Sequence, residues 1–363
     1  MSPARPRSTR PGGRVSRGRT PAARRRGAER PAEGLTVAVT GPTGTFGNGL
    51  VPLLEDDDRI ARIIGIARRP FDPAQRGWSK MTYRQGDVRD PEALEKAFRD
   101  ADVVVHLAFL ITGNASRQTT RAINVDGTLN TFRAAAAMGA RRFVYASSVA
   151  AYGFGPDLPE RIDEDWPVRP AARLFYAREK AELEGLLEAE AAADGTPDLY
   201  LLRPPVVLGP NAVGSKGVLP GPLAPLGRRL LGRPRRLPVP LPLVVPEHPL
   251  QFVHEDDVGS ALLLCVVGAG PPGAYNIAGD GVLTAGDVAR EFGALPLRVP
   301  PAPAQFAARA LSRLPFLPPV AEWIEAAGRP VIMDTGRAKR ELGWQPRYTG
   351  LEALRETLTP GAD

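Results

Sequence analysis

From residue 35 onward, short apolar runs alternate with stretches whose apolar residues recur every three or four positions. The runs LTVAVT (35–40), RIIGIA (62–67), MTYRQGDV (81–88), DVVVHLA (102–108), RFVYASS (142–148) and LYLLRPPVVLG (199–209) predict strands. Helical periodicity fills the gaps at 46–54, 91–99, 117–138 and 174–193, with Asp90 placed to cap the second. Strands that alternate with helices imply βαβ units and a parallel sheet covered on both faces. Near-continuous apolar strands such as VVVHLA suit that double burial.

After residue 210 the pattern changes. Residues 210–250 are rich in Pro and Gly and predict neither long helices nor central strands. Order returns with QFVHEDDVGSALLLCVV (251–267), a strand running into a helix near Asp256, and with GAYNIAGD (273–280). The reading is an α/β fold, a Rossmann-type doubly wound parallel sheet with a smaller, loop-rich C-terminal substrate lobe. Residues 1–33 form a disordered Arg-rich tail, 34–209 the nucleotide-binding domain with 251–278 returning to it, and 210–250 with 279–363 the lobe.

Composition narrows the function classes. Cys265 is the single cysteine and cannot form an internal disulfide, which fits a reducing, cytoplasmic setting; it reads as a small core residue. His106, His248 and His254 are too dispersed for a zinc site, and no apolar run reaches the length of a membrane span. The net charge of +7 resides in the tail: residues 1–30 hold ten arginines and one acid, Glu29, leaving −2 for the remainder. Arginine outnumbers lysine 42 to 5 throughout, which points to coding bias rather than phosphate contacts. The tail is therefore read as inert sequence upstream of a misassigned start, in preference to a transit peptide or an arm for nucleic acid or anionic surfaces, and nucleic acid is not expected as a partner.

The first strand ends in VTGPTGTFGNGL, which places Gly41, Gly44 and Gly47 at three-residue spacing. With 38 glycines in 363 residues the spacing alone arises by chance about 0.4 times, so its position matters more than its pattern. A glycine turn between a strand and a helix lets the backbone approach a pyrophosphate, whose charge the helix N-terminus favours. The second strand then ends in GIARRP, with Arg68 and Arg69 where a carboxylate would bind the ribose 2′-hydroxyl of NAD. Two guanidiniums there suit a 2′-phosphate, so NADP(H) is favoured and NAD(H) remains open.

The fourth predicted helix carries Tyr176 and Lys180 as Y-x-x-x-K, on one helical face. Seven tyrosines and five lysines give this spacing by chance about 0.1 times. Free tyrosine, with a pKa near 10, is a poor base at neutral pH, and a lysine cation beside it would lower that value. The fifth strand ends with Ser147 and Ser148 at the carboxyl edge where open α/β sheets bind ligands. A serine there can donate to a carbonyl oxygen as it gains charge.

These segments, with GDVRD, NVDGTLNTFRAA, VYASSVAAYG, YAREK, LRPPVVLGP and QFVHEDDV, resemble an extended short-chain dehydrogenase/reductase of the NAD-dependent epimerase/dehydratase type over about residues 35–347. The resemblance implies Tyr176 as the acid–base residue, Lys180 on the nicotinamide ribose and Ser148 as the catalytic serine, with Ser147 the alternative. It places Gly41, Thr43, Gly44, Thr45, Phe46 and Gly47 on the pyrophosphate, Asp87 and Val88 about the adenine, and His106, Leu107 and Ala108 in the cofactor groove. It gives Asn124 to the active-site water and lysine, and Pro204, Pro205 and Val206 to the nicotinamide pocket. A homodimer through the Tyr/Lys helix and a small-molecule substrate are also implied.

Two departures shape the choice of reaction. Dehydratases of this type carry Asp-Glu after the serines, where Val149, Ala150 and Ala151 stand, so dehydration is not expected. The missing acid after the second strand argues against an epimerase that holds NAD tightly. The favoured reading is an NAD(P)-dependent oxidoreductase acting on a carbonyl or alcohol. The alternatives are a nucleotide-sugar epimerase, with Arg228, Arg229, Arg233, Arg235 or Arg236 taking the diphosphate, and a non-catalytic NADP-binding scaffold or sensor.

Overall fold

Residue alternation along the central strands explains the layered architecture. In β1 (Leu35–Thr40), Val37 and Val39 join one apolar cluster while Ala38 joins another. In β4 (Val103–His106), Val103 and Val105 face the first cluster and Val104 the second. Every residue of β4 is buried, as expected of a parallel strand covered by helices on both faces. The structure, a computed structural model, describes residues 34–111, 116–155, 157–171, 174–212, 242–300 and 331–359. The tail 1–33 and the lobe arginines between 228 and 236 lie outside the described residues.

Seven strands form the main sheet. They are β1, β2 (Ile60–Ala67), β3 (Met81–Gln85), β4, β5 (Arg142–Ala146), β6 (Asp198–Arg203) and β11 (Gly273–Asn276), ordered β11-β6-β5-β4-β1-β2-β3 with all neighbours parallel. The strand order reverses between β1 and β4, and the crevice beyond their carboxyl ends is the site such sheets offer a ligand. The doubly wound expectation therefore holds, and the chain returns after residue 251 to supply the edge strand β11.

LYLLRPPVVLG does not form one strand. It divides into β6 and β7 (Val206–Leu208), and β7 pairs instead with β10 (Phe252–His254) in a separate two-stranded sheet. Pro204 and Pro205 explain the break, since neither has an N–H to give a ladder. Two smaller pairs complete the strands among the described residues: β9 (Pro249–Leu250) with β12 (Leu283–Thr284), and β8 (Pro242–Pro246) with β13 (Leu295–Val299).

On one face, α1 (Thr45–Asp56) packs against α6 (Glu255–Val267) with no side chain between the crossing points. A Cβ on Gly259 would stand 2.1 Å from Gly49 O, and one on Gly49 would stand 2.3 Å from Glu255 O. On the other face lie α2 (Pro91–Phe98), α4 (Gly127–Ala137) and α5 (Phe175–Ala191), which contribute Leu94, Phe98, Phe132, Leu183 and Leu187 to the second cluster. Asp90 caps α2, its Oδ1 accepting from Ala93 N at 3.1 Å. The helix read over 117–138 is interrupted: α3 (Arg117–Arg121) passes through a π-helical turn, Ala122–Asp126, before α4 begins. Among the described residues no helix is long and apolar enough to cross a membrane, and no group of His, Cys, Asp or Glu could hold a metal ion.

Candidate active site

The glycine turn follows β1 at the topological switch. Gly41 adopts φ +71°, and a Cβ there would stand 3.1 Å from Ala108 N, so only glycine lets the turn lie against the strand beside it. A Cβ on Gly47 would stand 2.2 Å from Pro42 O, closing the turn onto the first helical residues. Gly44 is the N-cap of α1, contributes no side-chain cap, and no acid occupies the first turn. The positive end of the helix therefore faces outward without a carboxylate to neutralise it. Thr43 and Gly44 are exposed, while Thr45 and Phe46 are half-buried at the helix start. These features fit a dinucleotide pyrophosphate. Arg68 and Arg69, at the exposed end of β2, form no ion pair within 4 Å among the described residues. Asp87 is held by Arg89, with Nε at 3.0 Å and Nη2 at 2.7 Å, and that hydrogen bonding keeps its carboxyl below the usual range. Val88 is buried against Gly127.

The predicted groove residues separate by depth. Leu107 and Ala108 are half-buried, and their N–H groups donate to Thr40 Oγ1 at 3.2 and 3.3 Å. His106 does not line the groove. Its ring is buried in the sheet between Thr40 Oγ1 at 2.8 Å and Thr128 Oγ1 at 2.9 Å, and burial with the Lys180 charge pushes its pKa down to about 3. It is a neutral structural imidazole. Pro204 is buried and its carbonyl accepts from Val149 N at 2.9 Å, Pro205 is half-buried, and Val206 is 58% exposed.

At the end of β5 the two adjacent serines diverge. The Ser148 hydroxyl is hydrogen-bonded to the Tyr176 phenol and its Oγ accepts from Ala150 N at 3.2 Å. Ser147 Oγ donates to Glu184 Oε1, away from that phenol. Glu184 is 1% exposed and pairs with Arg203, 3% exposed, through Nη2 at 2.6 Å and Nε at 3.1 Å. Arg203 Nη1 donates to Tyr152 Oη at 2.7 Å, Tyr152 Oη to Asn276 Oδ1 at 2.7 Å, and Asn276 N to Glu164 Oε1 at 2.8 Å. The sequence reading missed this buried chain. A Glu within a helix and an Arg ending a strand read as solvated, and only their position beside the serines could have signalled otherwise.

Lys180 is 2% exposed, and its Nζ donates to Tyr145 Oη at 3.0 Å and Ala146 O at 2.6 Å. Burial pushes its pKa down to about 7, against the attraction of Glu184 and Glu179. Tyr176 departs from expectation: burial raises its pKa, with the Ser148 hydrogen bond pulling the other way. The lysine ammonium is bound to Tyr145 and lies 5.9 Å from the Tyr176 ring centroid, so burial dominates at the phenol. Asn124 is spent elsewhere than expected. Its Oδ1 accepts from Leu110 N at 2.8 Å, and its Nδ2 donates to Leu110 O at 3.0 Å and to Glu179 Oε2 at 2.8 Å. It clamps the loop after β4 to the residue preceding Lys180. Phe109, on that loop, was not singled out by the sequence. Its ring meets Tyr176 edge-on at 5.7 Å and lies 3.8 Å from Lys180 Nζ.

The architecture agrees with what the chain resembles. An uncharacterized protein of Mycobacterium tuberculosis (strain ATCC 25618 / H37Rv) is 29% identical over 340 residues, spanning 90% of this chain and 84% of the relative. The dTDP-glucose 4,6-dehydratase from Bacillus anthracis, solved with NAD, superposes with a TM-score of 0.66 at 20% identity, covering 90% of this chain and 96% of that one. The UDP-N-acetylglucosamine 4-epimerase from Bacillus cereus gives 0.64 at 20% identity, covering 89% and 98%. Residues 37–278 match the NAD dependent epimerase/dehydratase family, and the chain belongs to that family.

Proposed function

We propose that this protein is an NAD(P)-dependent oxidoreductase that transfers hydride to or from a carbonyl/alcohol carbon, with NADP(H) favoured over NAD(H). The observation that carries the reading is the hydrogen bond between Ser148 and Tyr176, with Lys180 one helical turn further on the same helix. A bound nicotinamide dinucleotide supplies the hydride. Gly41, Gly44 and Gly47 would hold its pyrophosphate at the start of α1, and Leu107, Ala108, Pro204 and Val206 would border it. Arg68 and Arg69 support the NADP preference, being exposed cations at the end of β2 with no ion pair within 4 Å among the described residues, Asp87 feeling Arg68 only at longer range.

The chain's own groups then handle the proton. Tyr176 is held protonated at neutral pH by burial, which suits it to give its proton to a carbonyl oxygen as that oxygen gains charge. Ser148 donates to the same oxygen and fixes its direction. Lys180, buried beside the phenol, compensates the phenolate left behind.

A second reading, nucleotide-sugar epimerisation, is favoured by the solved neighbours that bind or act on nucleotide sugars. One experiment separates the two. The nucleotide that copurifies is released by denaturation and identified by mass, and the stripped protein is titrated with NADPH and NADH. Exchangeable binding with NADPH preferred supports the oxidoreductase. Tight copurifying NAD that resists exchange overturns the NADP preference and supports the epimerase, and binding of neither nucleotide overturns both in favour of a non-catalytic scaffold.

A further inference from the structure

The ammonium of Lys180 has three donors. Tyr145 Oη and Ala146 O take two of them, and both belong to β5. The remaining contact comes from the loop after β4, as the Phe109 ring centroid lies 3.8 Å from Nζ. The Tyr145 ring centroid lies at 4.5 Å and that of Tyr176 at 5.9 Å, so three aromatic faces surround one cation. Phe109 is seated rather than loose. It meets Tyr176 edge-on, and the next residue, Leu110, is gripped through both its N–H and its carbonyl by Asn124, which also binds Glu179. The ring, from the loop after β4, and the acid–base phenol and the lysine, both from α5, are therefore tied into one unit.

We propose that Phe109 is a positioning residue for the reaction centre, acting through Lys180: its ring face closes an aromatic enclosure that holds the buried ammonium in its charged form and in register with Tyr176. The inference rests on the hydride-transfer reading for its purpose. A lysine this deeply buried would otherwise shed its proton, and cation–π attraction favours the charged form without placing a second anion beside the phenol. Glu179 and Glu184 on α5 also favour the charge, Tyr145 on β5 and Tyr176 on α5 are the titratable phenols facing it, and His106 on β4 is held neutral by burial and by this same cation. Phe109 lies one residue beyond the DVVVHLA run, which does not mark it, and the distances reveal it.

The test reads Lys180 directly. Trace acetylation of the full chain across pH, followed by mass spectrometry of the Lys180 peptide, gives its labelling midpoint, with exposed Lys96 as the internal reference. The wild-type midpoint is expected near the value of about 7 that burial imposes. In Phe109→Leu the apolar wall persists but the ring face is lost, and the midpoint falls by about half to one and a half pH units. In Phe109→Ala water reaches the amine, and the midpoint instead rises toward the ordinary lysine value while labelling of the free base accelerates. Phe109→Tyr keeps the ring and restores the wild-type midpoint. Wild-type midpoints in both the Leu and Ala variants would overturn the proposal, as would a Tyr variant that behaves like Leu. Labelling requires neither substrate nor dinucleotide, so its failure is separable from that of the hydride-transfer reading, which NADPH and NADH titration of the same variants tests independently.

Discussion

The two halves of the central sheet solve different problems. The half built on β1, β2 and β3 is mostly apolar: α1 meets α6 through the backbones of Gly49 and Gly259, the cluster around them holds Val37, Val39, Leu50 and Leu262, and the buried carboxylates Glu255 and Asp257 are confined to the start of α6. The half built on β5, β6 and β11 buries charge: Lys180, Glu184, Arg203 and Glu179 are each less than one-tenth exposed. A pyrophosphate turn needs only backbone N–H groups and a helix end held at a fixed height, and close apolar packing supplies both. Proton chemistry needs ionisable side chains out of water, which folding tolerates only when each is paired. The glycine half is therefore stabilised by shape and the tyrosine half by a closed chain of hydrogen bonds.

That contrast can be attacked at its strongest point first. Arg203→Met leaves Glu184 buried without its cation, and chemical denaturation should show a loss of about 3–5 kcal/mol. Adding Glu184→Leu should recover most of it, and a single variant near wild-type stability would mean that the charged half is not held by this pair. Tyr176→Phe removes a hydroxyl and no packing. Turnover with an identified substrate should fall by about 10²–10⁴-fold while nucleotide affinity and unfolding midpoint stay near wild type. Gly259→Ala probes the mostly apolar half. Its methyl would stand 2.1 Å from Gly49 O, and the overpacking should cost about 1–3 kcal/mol in the same denaturation assay, together with weaker nucleotide binding as α1 is displaced.

The buried histidine adds a pH dependence. The unfolded chain protonates His106 near its ordinary 6.5, whereas the folded ring resists down to about 3. The unfolded state binds more protons across that window, so stability falls as pH drops from about 6.5 toward 3. His106→Asn cannot take up that proton and should flatten the decline in urea midpoints between pH 6.5 and 4; an unchanged slope would remove His106 from the account. Lys180 acts in a higher window with the same sign. Its burial penalty is full below about 7 and fades as pH rises toward its ordinary 10.5.

Strand positions were legible because parallel strands buried on both faces are nearly continuous apolar runs. β1 spans the residues read, and β4 and β5 lie inside theirs. The division of β6 from β7 was foreshadowed by Pro204-Pro205, but periodicity alone did not separate two strands of different sheets. At the site, Ser148, Tyr176 and Lys180 were legible as residue types at fixed spacing, and the structure brings them together. The environments that set their protonation were not. The direction of the Tyr176 shift depends on burial and on the lysine being turned toward Tyr145, and Phe109, Glu184 and Arg203 act through contacts from segments distant in sequence.

The π-helical turn at Ala122–Asp126 has a consequence for insertions and deletions. A wide turn of this kind accommodates one residue more than a regular helix of the same rise. Removing a residue from it should let α3 and α4 fuse into an ordinary helix with little disturbance of either flank. The change would be confined to the turn itself, where Asn124 would lose its hold on Leu110 and Glu179. The surplus residue is thus a phase setting: it lets one helix present Phe132 to the core and Asn124 to the loop after β4, two aspects that a perfect 3.6-residue repeat would place out of step.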